Sequence, residues 1–145
     1  MFLGQYTYTL DDKARLTIPS RFREALTGSV VATRGLDRCI MVYPLDVWQG
    51  IADKVTALPL GDPRGRAFRR QMFADASLVD LDRQGRILLP DRLRDYAGLE
   101  LTSDVIVVGL NSYIELWNPQ RWDEVNAQQT ENIDEDPALW QDLGI

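Results

Sequence analysis

Polar and apolar residues alternate over residues 2–10, where Tyr6, Tyr8 and Leu10 hold alternate positions. This alternation predicts a strand with one buried face. Short apolar runs bounded by glycine, proline or aspartate then predict further strands. These runs are residues 15–18, 30–33, 39–43, 77–81, 87–89, 104–108 and 113–117. Residues 35–38 are expected to join two of these strands as a hairpin.

Elsewhere apolar residues recur at intervals of three and four, which predicts amphipathic helices. The clearest such stretch runs from Leu45 through Trp48 and Val55 and is expected to end before Pro59. A helix of about two turns is expected after Pro19, because proline suits the first turn of a helix. Further helices are predicted at residues 64–73, 91–97 and about 119–128.

The chain contains two copies of one unit, since residues 11–19 return as residues 82–90. Each copy has an Asp-x-x-x-Arg turn, a three-residue apolar strand, a proline and a short segment with paired arginines. A repeat of this length suits a duplicated half-domain rather than a solenoid unit. We expect one compact domain with two half-domains, a linker and an acidic tail. These parts are residues 1–58, 59–75, 76–130 and 131–145.

Length and composition fit one soluble domain, since 145 residues with 45% hydrophobic content can bury one sizeable core. Cys39 is the single cysteine and lies in an apolar run, so it is expected to pack as a small hydrophobe in a reducing compartment. The longest apolar stretch, residues 105–110, is far below the roughly 20 residues of a membrane span. With no secretory pattern at the N-terminus, we expect a cytoplasmic protein without membrane association.

The net charge of −6 is concentrated at one end of the chain. Seven of the 22 acidic residues lie in residues 123–145, where no basic residue occurs. The remainder holds all 16 basic residues and is close to neutral. Because a local basic patch attracts phosphate, the total charge does not exclude nucleic acid. The acidic tail, which includes Pro137, is expected to be loosely held.

The residue type that serves most often as a general base and metal ligand is missing. The chain has no histidine, and neither a phosphate-binding loop nor a dinucleotide glycine pattern is present. The pair Asp11 and Asp12 suggests a magnesium site, but the second copy has Asp82 and Arg83, which would break one. We therefore expect no enzymatic activity, no cofactor, no metal and no small-molecule substrate.

The repeated Asp-x-x-x-Arg turn allows two interpretations. In one, the carboxylate pairs with the arginine only to hold the turn, a contact that contributes ~0–1 kcal/mol at an exposed site. In the other, Asp11 and Asp82 orient the guanidinium groups of Arg15 and Arg86 toward a phosphate or a guanine edge. Both can hold together. The arginines at positions 64–70 are similarly open to interpretation as a solvated helix face, as phosphate contacts or as ion pairs with a neighbouring subunit.

These turns, the Phe-Leu-Gly-x-Tyr start and the Tyr-Pro-Leu-x-x-Trp helix entry resemble the MraZ family of bacterial regulators of the division and cell-wall gene cluster. The resemblance extends to about residue 130. It implies an α+β, mainly β fold: a pseudo-twofold, swapped-hairpin β-barrel of the AbrB type, built from two internal repeats with flanking helices. It also implies a nucleoid-associated, ring-like homo-oligomer that binds direct repeats in double-stranded promoter DNA.

Carried over by position, the family's DNA-binding residues fall on Lys13 and Arg15 in the first turn and on Arg83 and Arg86 in the second. Further phosphate contacts are expected from the paired arginines after each turn, which are Arg21, Arg23, Arg92 and Arg94. The family usually has glycine before the turn arginine, as at Gly85, whereas the first copy has Ala14. A positive φ at Ala14 would cost ~1 kcal/mol or more. The alternative function is an oligomeric protein-interaction scaffold without DNA specificity.

Overall fold

A computed structural model describes residues 1–144, which form eight strands and six helices. The strands are β1 (Phe2–Thr9), β2 (Arg15–Thr17), β3 (Ser29–Arg34), β4 (Ile40–Pro44), β5 (Ser77–Asp80), β6 (Arg86–Leu88), β7 (Asp104–Asn111) and β8 (Ile114–Trp117). The helices are α1 (Ser20–Arg23), α2 (Leu45–Thr56), α3 (Pro63–Ala74), α4 (Asp91–Ala97), α5 (Pro119–Asp134) and α6 (Ala138–Asp142). None of these helices, within residues 1–144, is both long enough and apolar enough to cross a membrane.

The two halves of the chain exchange strands. A six-stranded antiparallel sheet has the order β1-β7-β8-β4-β3-β5, so the first strand of each half pairs with a strand of the other half. Equivalent strands also pair across the approximate twofold axis, β4 with β8 and β2 with β6. Neither half completes the sheet alone, and the predicted α+β, swapped-hairpin fold from two repeats is confirmed.

Closure of the sheet into a barrel, which was part of the expectation, is not found among residues 1–144. Strands β1 and β5 form the two edges of the six-stranded sheet and do not pair with each other. The pair β2–β6 forms a separate small sheet. The architecture is therefore an open, strand-swapped sheet with helices around it.

One hydrophobic core is shared by both halves. Leu16 of β2 lies opposite Ile87 of β6, and both are buried. Phe22 packs edge-on against Phe2 and Tyr6, with ring centroids 5.2 Å and 5.4 Å apart. Phe2, Tyr6 and Phe22 belong to the first half, whereas Leu16 and Ile87 belong to different halves, so this central contact makes each half-domain stabilise the other.

Two local expectations differ from the structure at helix ends. Helix α1 ends at Arg23 and so has one turn rather than two. Residues 24–28 form a turn that leads into β3 at Ser29, with Gly28 at φ +82°. The predicted inward positions of Phe22 and Leu26 are nevertheless both buried. Helix α5 continues to Asp134, beyond the predicted end, because no proline or glycine interrupts it before Pro137.

Cys39 is fully buried, as expected, and its thiol donates to the backbone oxygen of Leu36 at 3.2 Å. Burial raises the pKa of this thiol far above its usual range, with Glu115 adding to the effect. The cysteine therefore packs as a small apolar side chain and is not a reactive nucleophile.

The shared core predicts a sharp contrast between two neighbouring leucines. Leu89 is 1% exposed and Leu88 is 55% exposed. We expect Leu89→Ala to lower the free energy of unfolding by about 2–5 kcal/mol, because it leaves a cavity in the core. The matched variant Leu88→Ala should change it by less than about 1 kcal/mol. Urea unfolding followed by tryptophan fluorescence measures both, and equal effects would contradict this description of the core.

Candidate nucleic-acid interface

The first turn is held by the carboxylate of Asp11. Its Oδ1 accepts hydrogen bonds from the backbone N–H groups of Lys13 at 2.9 Å and Arg15 at 2.8 Å. Its Oδ2 accepts one from Nε of Arg15 at 2.8 Å. An aspartate side chain that accepts from the backbone two residues later is a known turn-forming contact. The polar tip at Asp12 and Lys13 is thereby presented on a fixed loop.

The second turn repeats this geometry. Oδ1 of Asp82 accepts from the backbone N–H groups of Gln84 and Arg86, both at 2.9 Å. Oδ2 of Asp82 accepts from Nε of Arg86 at 2.8 Å. The same spacing of aspartate and arginine therefore builds the same loop twice, and the exposed tip here consists of Arg83 and Gln84.

The two turns lie side by side because the segments that follow them pair with each other. The backbone N–H of Ile18 donates to the oxygen of Gly85 at 2.8 Å, and that of Leu89 donates to the oxygen of Ala14 at 2.9 Å. Nη1 of Arg86 is also 3.9 Å from Oδ2 of Asp11, so the turns share an ionic contact. We call residues 11–15 and 82–86 together the turn face.

Hydrogen bonding keeps both turn carboxylates ionised. The backbone N–H of Arg15 is the largest cause of the lowered pKa of Asp11, and the Arg15 side chain adds to it. Arg86 lowers the pKa of Asp82 in the same way. Nε of each arginine donates to the carboxylate, and this hydrogen bond fixes the direction of the guanidinium plane. The terminal nitrogens of Arg15 have no hydrogen-bond partner within residues 1–144.

The paired arginines after each turn divide into two kinds. Nε of Arg23 donates to the backbone oxygen of Ile18 at 2.9 Å, and Nε of Arg94 donates to that of Leu89 at 3.1 Å. These two side chains are partly buried and hold the backbone just beyond the turns. Arg21 and Arg92 are exposed. The structure thus leaves the latter pair as the more accessible candidates for phosphate contacts.

Comparison with known proteins matches this repeated architecture. A family model described as "MraZ protein, putative antitoxin-like" matches the chain twice, at residues 1–71 and 72–142. The chain belongs to the MraZ family.

Relatives named Transcriptional regulator MraZ match it over most of their length. The protein of Thermomicrobium roseum is 58% identical over 122 residues, which is 84% of each chain. That of Roseiflexus castenholzii is 48% identical over 132 residues, or 91% of each chain. That of Pediococcus pentosaceus is 43% identical over 145 residues and covers both chains completely.

The two MraZ repeats of this chain differ at the residue before the turn arginine. Ala14 has φ +61° and Gly85 has φ +74°, so both positions are left-handed. Ala14 is therefore strained by ~1 kcal/mol or more relative to glycine, as expected for a positive φ. At Gly85 a Cβ atom would clash with the guanidinium of Arg23, so the side chain of Arg23 occupies the space that glycine leaves open.

The arginines of α3 have mainly structural roles that the sequence did not reveal. Arg69 donates to the backbone oxygens of Val55, Thr56 and Leu58 and so caps the C-terminal end of α2. Arg64 pairs with Asp62, and Arg66 donates to the oxygen of Leu60. The Arg69 contacts depend on the packing of α3 against α2, which periodicity along one helix cannot show. The Arg64 and Arg66 contacts are local to the start of α3.

The described residues offer no cluster for a metal. Among residues 1–144, no group of three or more His, Cys, Asp or Glu side chains is placed to hold an ion. Asp11 and Asp12 are adjacent, yet the carboxylate of Asp11 is already used by the N–H groups of its own turn.

The lowered pKa values of the turn carboxylates predict an acid-dependent loss of stability. Below the unfolded pKa the unfolded state binds more protons than the folded state, so stability should fall as pH drops through the folded pKa values of Asp11 and Asp82. The double variant Asp11→Asn, Asp82→Asn should lose less stability between about pH 4 and pH 2 than the parent chain. Urea titrations across this range measure the slope.

The matched control is Asp12→Asn, which removes an exposed carboxylate from the same turn without removing a turn hydrogen bond. Its stability should vary with pH as that of the parent chain does. A double variant with the parent's slope would show that the turn carboxylates do not contribute to acid sensitivity.

Proposed function

We propose that this chain is a sequence-specific DNA-binding transcriptional regulator whose turn face reads direct repeats in the promoter of its own division and cell-wall gene cluster. The observation that carries the proposal is the pair of adjacent turns, each with an arginine oriented by an aspartate. Relatives that match this chain over most of their length are named Transcriptional regulator MraZ, which supports a regulatory role.

Arg15 and Arg86 are proposed to read bases. A guanidinium reads guanine through two parallel hydrogen bonds to O6 and N7, and an orienting carboxylate reduces the freedom lost on binding. In both turns Nε faces the aspartate at 2.8 Å, which leaves the terminal nitrogens as the fork. Asp11 and Asp82 are then orienting residues that do not touch the DNA.

Lys13 and Arg83 are proposed to contact phosphates, because both are exposed at the turn tips. The tips differ in charge, since Lys13 is accompanied by Asp12 whereas Arg83 is accompanied by the neutral Gln84. A carboxylate beside a phosphate is repelled, so the second turn should hold the DNA backbone more tightly than the first. The turn face therefore has a direction along the DNA.

Assembly is part of the proposal. Specific DNA recognition typically buries about 1,000 Å² or more of protein surface, which two short turns do not provide. Several identical chains that bind evenly spaced repeats gain affinity through effective concentration. A head-to-tail contact between identical chains closes into a ring when the rotation permits, and such a ring favours direct repeats over a palindrome.

The first test of this function is removal of the reading arginines. Arg15→Ala and Arg86→Ala should each weaken binding to the promoter DNA upstream of the gene cluster by ~1–3 kcal/mol, or roughly 5-fold to 150-fold. The fold, followed by circular dichroism, should stay unchanged. Lys54→Ala is a control, since Lys54 is an exposed basic residue on α2, outside the turn face. Gel-shift titrations at several salt concentrations, with unrelated competitor DNA, measure the effect. Parent affinity in the double arginine variant would refute the turn face as the reader.

The second test concerns spacing. Sedimentation velocity and DNA titrations should show an oligomer that binds several evenly spaced repeats much more tightly than one repeat. Insertion of about 5 base pairs between repeats, roughly half a helical turn, should remove this gain because it rotates the sites apart. A monomer that binds one repeat as tightly as a repeat array would contradict the assembly.

A further inference from the structure

An apolar groove lies between α3 and the β3–β4 hairpin, away from the turn face. It encloses a cavity of about 170 Å³. Its lining consists of Arg34, Leu36, Met41, Phe68, Gln71 and Met72. Leu36 is 69% exposed and Phe68 is 41% exposed, so the groove opens to the surface. We call this surface the α3 groove.

The walls of the α3 groove are held in place without a ligand. The hydroxyl of Thr33 donates to the backbone oxygen of Met72 at 2.7 Å, which joins α3 to β3. Phe73 packs edge-on against Trp48 at 5.8 Å on the other side of α3. The guanidinium of Arg34 lies 4.2 Å from the ring centroid of Tyr96. A preformed apolar pocket of this kind is typical of binding sites.

The helix beside the groove is strongly basic. Helix α3 carries four arginines and no acidic residue. The nearby acids Asp62 and Asp75 are already paired, the first with Arg64 and the second with Arg34 and Arg92. One further acid near the groove, Asp37, lies in the loop of the β3–β4 hairpin. Nε of Arg34 is also buried without a hydrogen-bond partner. A partner of opposite charge with one apolar anchor would suit this surface.

The C-terminal part of the chain has the complementary properties. Residues 131–144 contain five acidic residues and no basic residue. Helix α6 exposes Leu139 by 46% and Trp140 by 51%, and the residue that caps its C-terminal end, Leu143, is 66% exposed. Leu143 follows Leu139 by four positions and Trp140 by three, so it neighbours both and the three side chains form an apolar surface. This surface does not pack against the rest of its own chain, since residues 126–144 are all exposed.

We propose that α6 of a second copy of this chain docks in the α3 groove, with Trp140 in the cavity and the acids around α6 beside the arginines of α3. An apolar cavity of about 150 Å³ holds benzene, so the groove of about 170 Å³ can take the six-membered ring of the indole while the rest of the side chain lies toward the open surface. The charges fit as well, since arginine-rich α3 faces a segment that has only acids.

The contact joins two different surfaces, the groove of one chain and the tail of another. Repeated head to tail, it closes into a ring when the rotation permits, so the proposal rests on the self-association proposed above and identifies one of its contacts. A five-residue helix is too short to bury the roughly 800 Å² per partner of a stable interface. The docked tail therefore adds to a larger contact and does not replace it.

Cross-linking between two differently tagged chains tests this directly. One chain carries Gln71→Cys in the groove and the other carries Gln141→Cys on α6, and the two are co-expressed and treated with a short bismaleimide. Cys39 is fully buried and serves as an internal negative control in the parent chain. A covalent dimer is expected only when both substitutions are present. Gln49→Cys on α2, paired with Gln141→Cys, is the matched control and should give none.

A second measurement uses substitutions of equal exposure. Leu36→Asp in the groove should weaken self-association about tenfold in sedimentation velocity, because it places a carboxylate against the acidic tail. Leu60→Asp should leave it unchanged, although Leu36 and Leu60 are both 69% exposed.

The outcomes separate this inference from the assembly on which it rests. An assembled oligomer that gives no cross-link, or that tolerates Leu36→Asp, would overturn the groove contact and leave the ring in place. A cross-link formed within one doubly substituted chain would show that the tail occupies its own groove and would also overturn the proposal. A monomer at micromolar concentration would overturn the ring and the groove contact together.

Discussion

The pairing of β2 with β6 across the approximate twofold axis is the contact on which the site depends. It places Leu16 opposite Ile87 in the core and brings the Asp11 and Asp82 turns together at the surface. The backbone bonds from Ile18 to Gly85 and from Leu89 to Ala14 continue the pairing into the loops. Since each strand has only three residues, the surrounding exchange of β1 and β5 between the halves must hold the pair in register. The same strand pairing therefore contributes to the core and positions the two turns.

The sequence predicted the parts of this structure that are local or repeated. Alternating apolar positions located the first strand and short apolar runs located the others. The duplicated Asp-x-x-x-Arg segment identified the turns, because a carboxylate two and four residues before N–H groups closes a loop without help from the rest of the chain. The strained φ of Ala14 was predictable from its alignment with Gly85. Contacts made between helices were not predictable. The cap that Arg69 forms on α2 and the stacking of Arg34 on Tyr96 require a packing geometry that no single helix encodes.

The open sheet is a second feature that the sequence did not predict. A resemblance to a swapped-hairpin barrel predicts that the two halves exchange strands, and the exchange is present. Closure depends instead on the twist and tilt accumulated over all strands, which a strand pattern does not specify. The two candidate reading arginines lie on the small β2–β6 sheet and its turns. Their geometry follows from local hydrogen bonds, so it does not depend on whether the larger sheet closes.

Charge is distributed so that a chain of net charge −6 can still present a basic surface. The uncompensated acids lie after residue 122, whereas the turn face and α3 lie in the nearly neutral remainder. A free acidic tail would reduce attraction to phosphate within a Debye length of about 8–10 Å. Docking of α6 on α3 of a neighbouring chain would place these acids against arginines and confine them to one side of the assembly. Self-association and DNA affinity would then be coupled through electrostatics, since the contact that joins two chains also removes a competitor for the phosphate backbone.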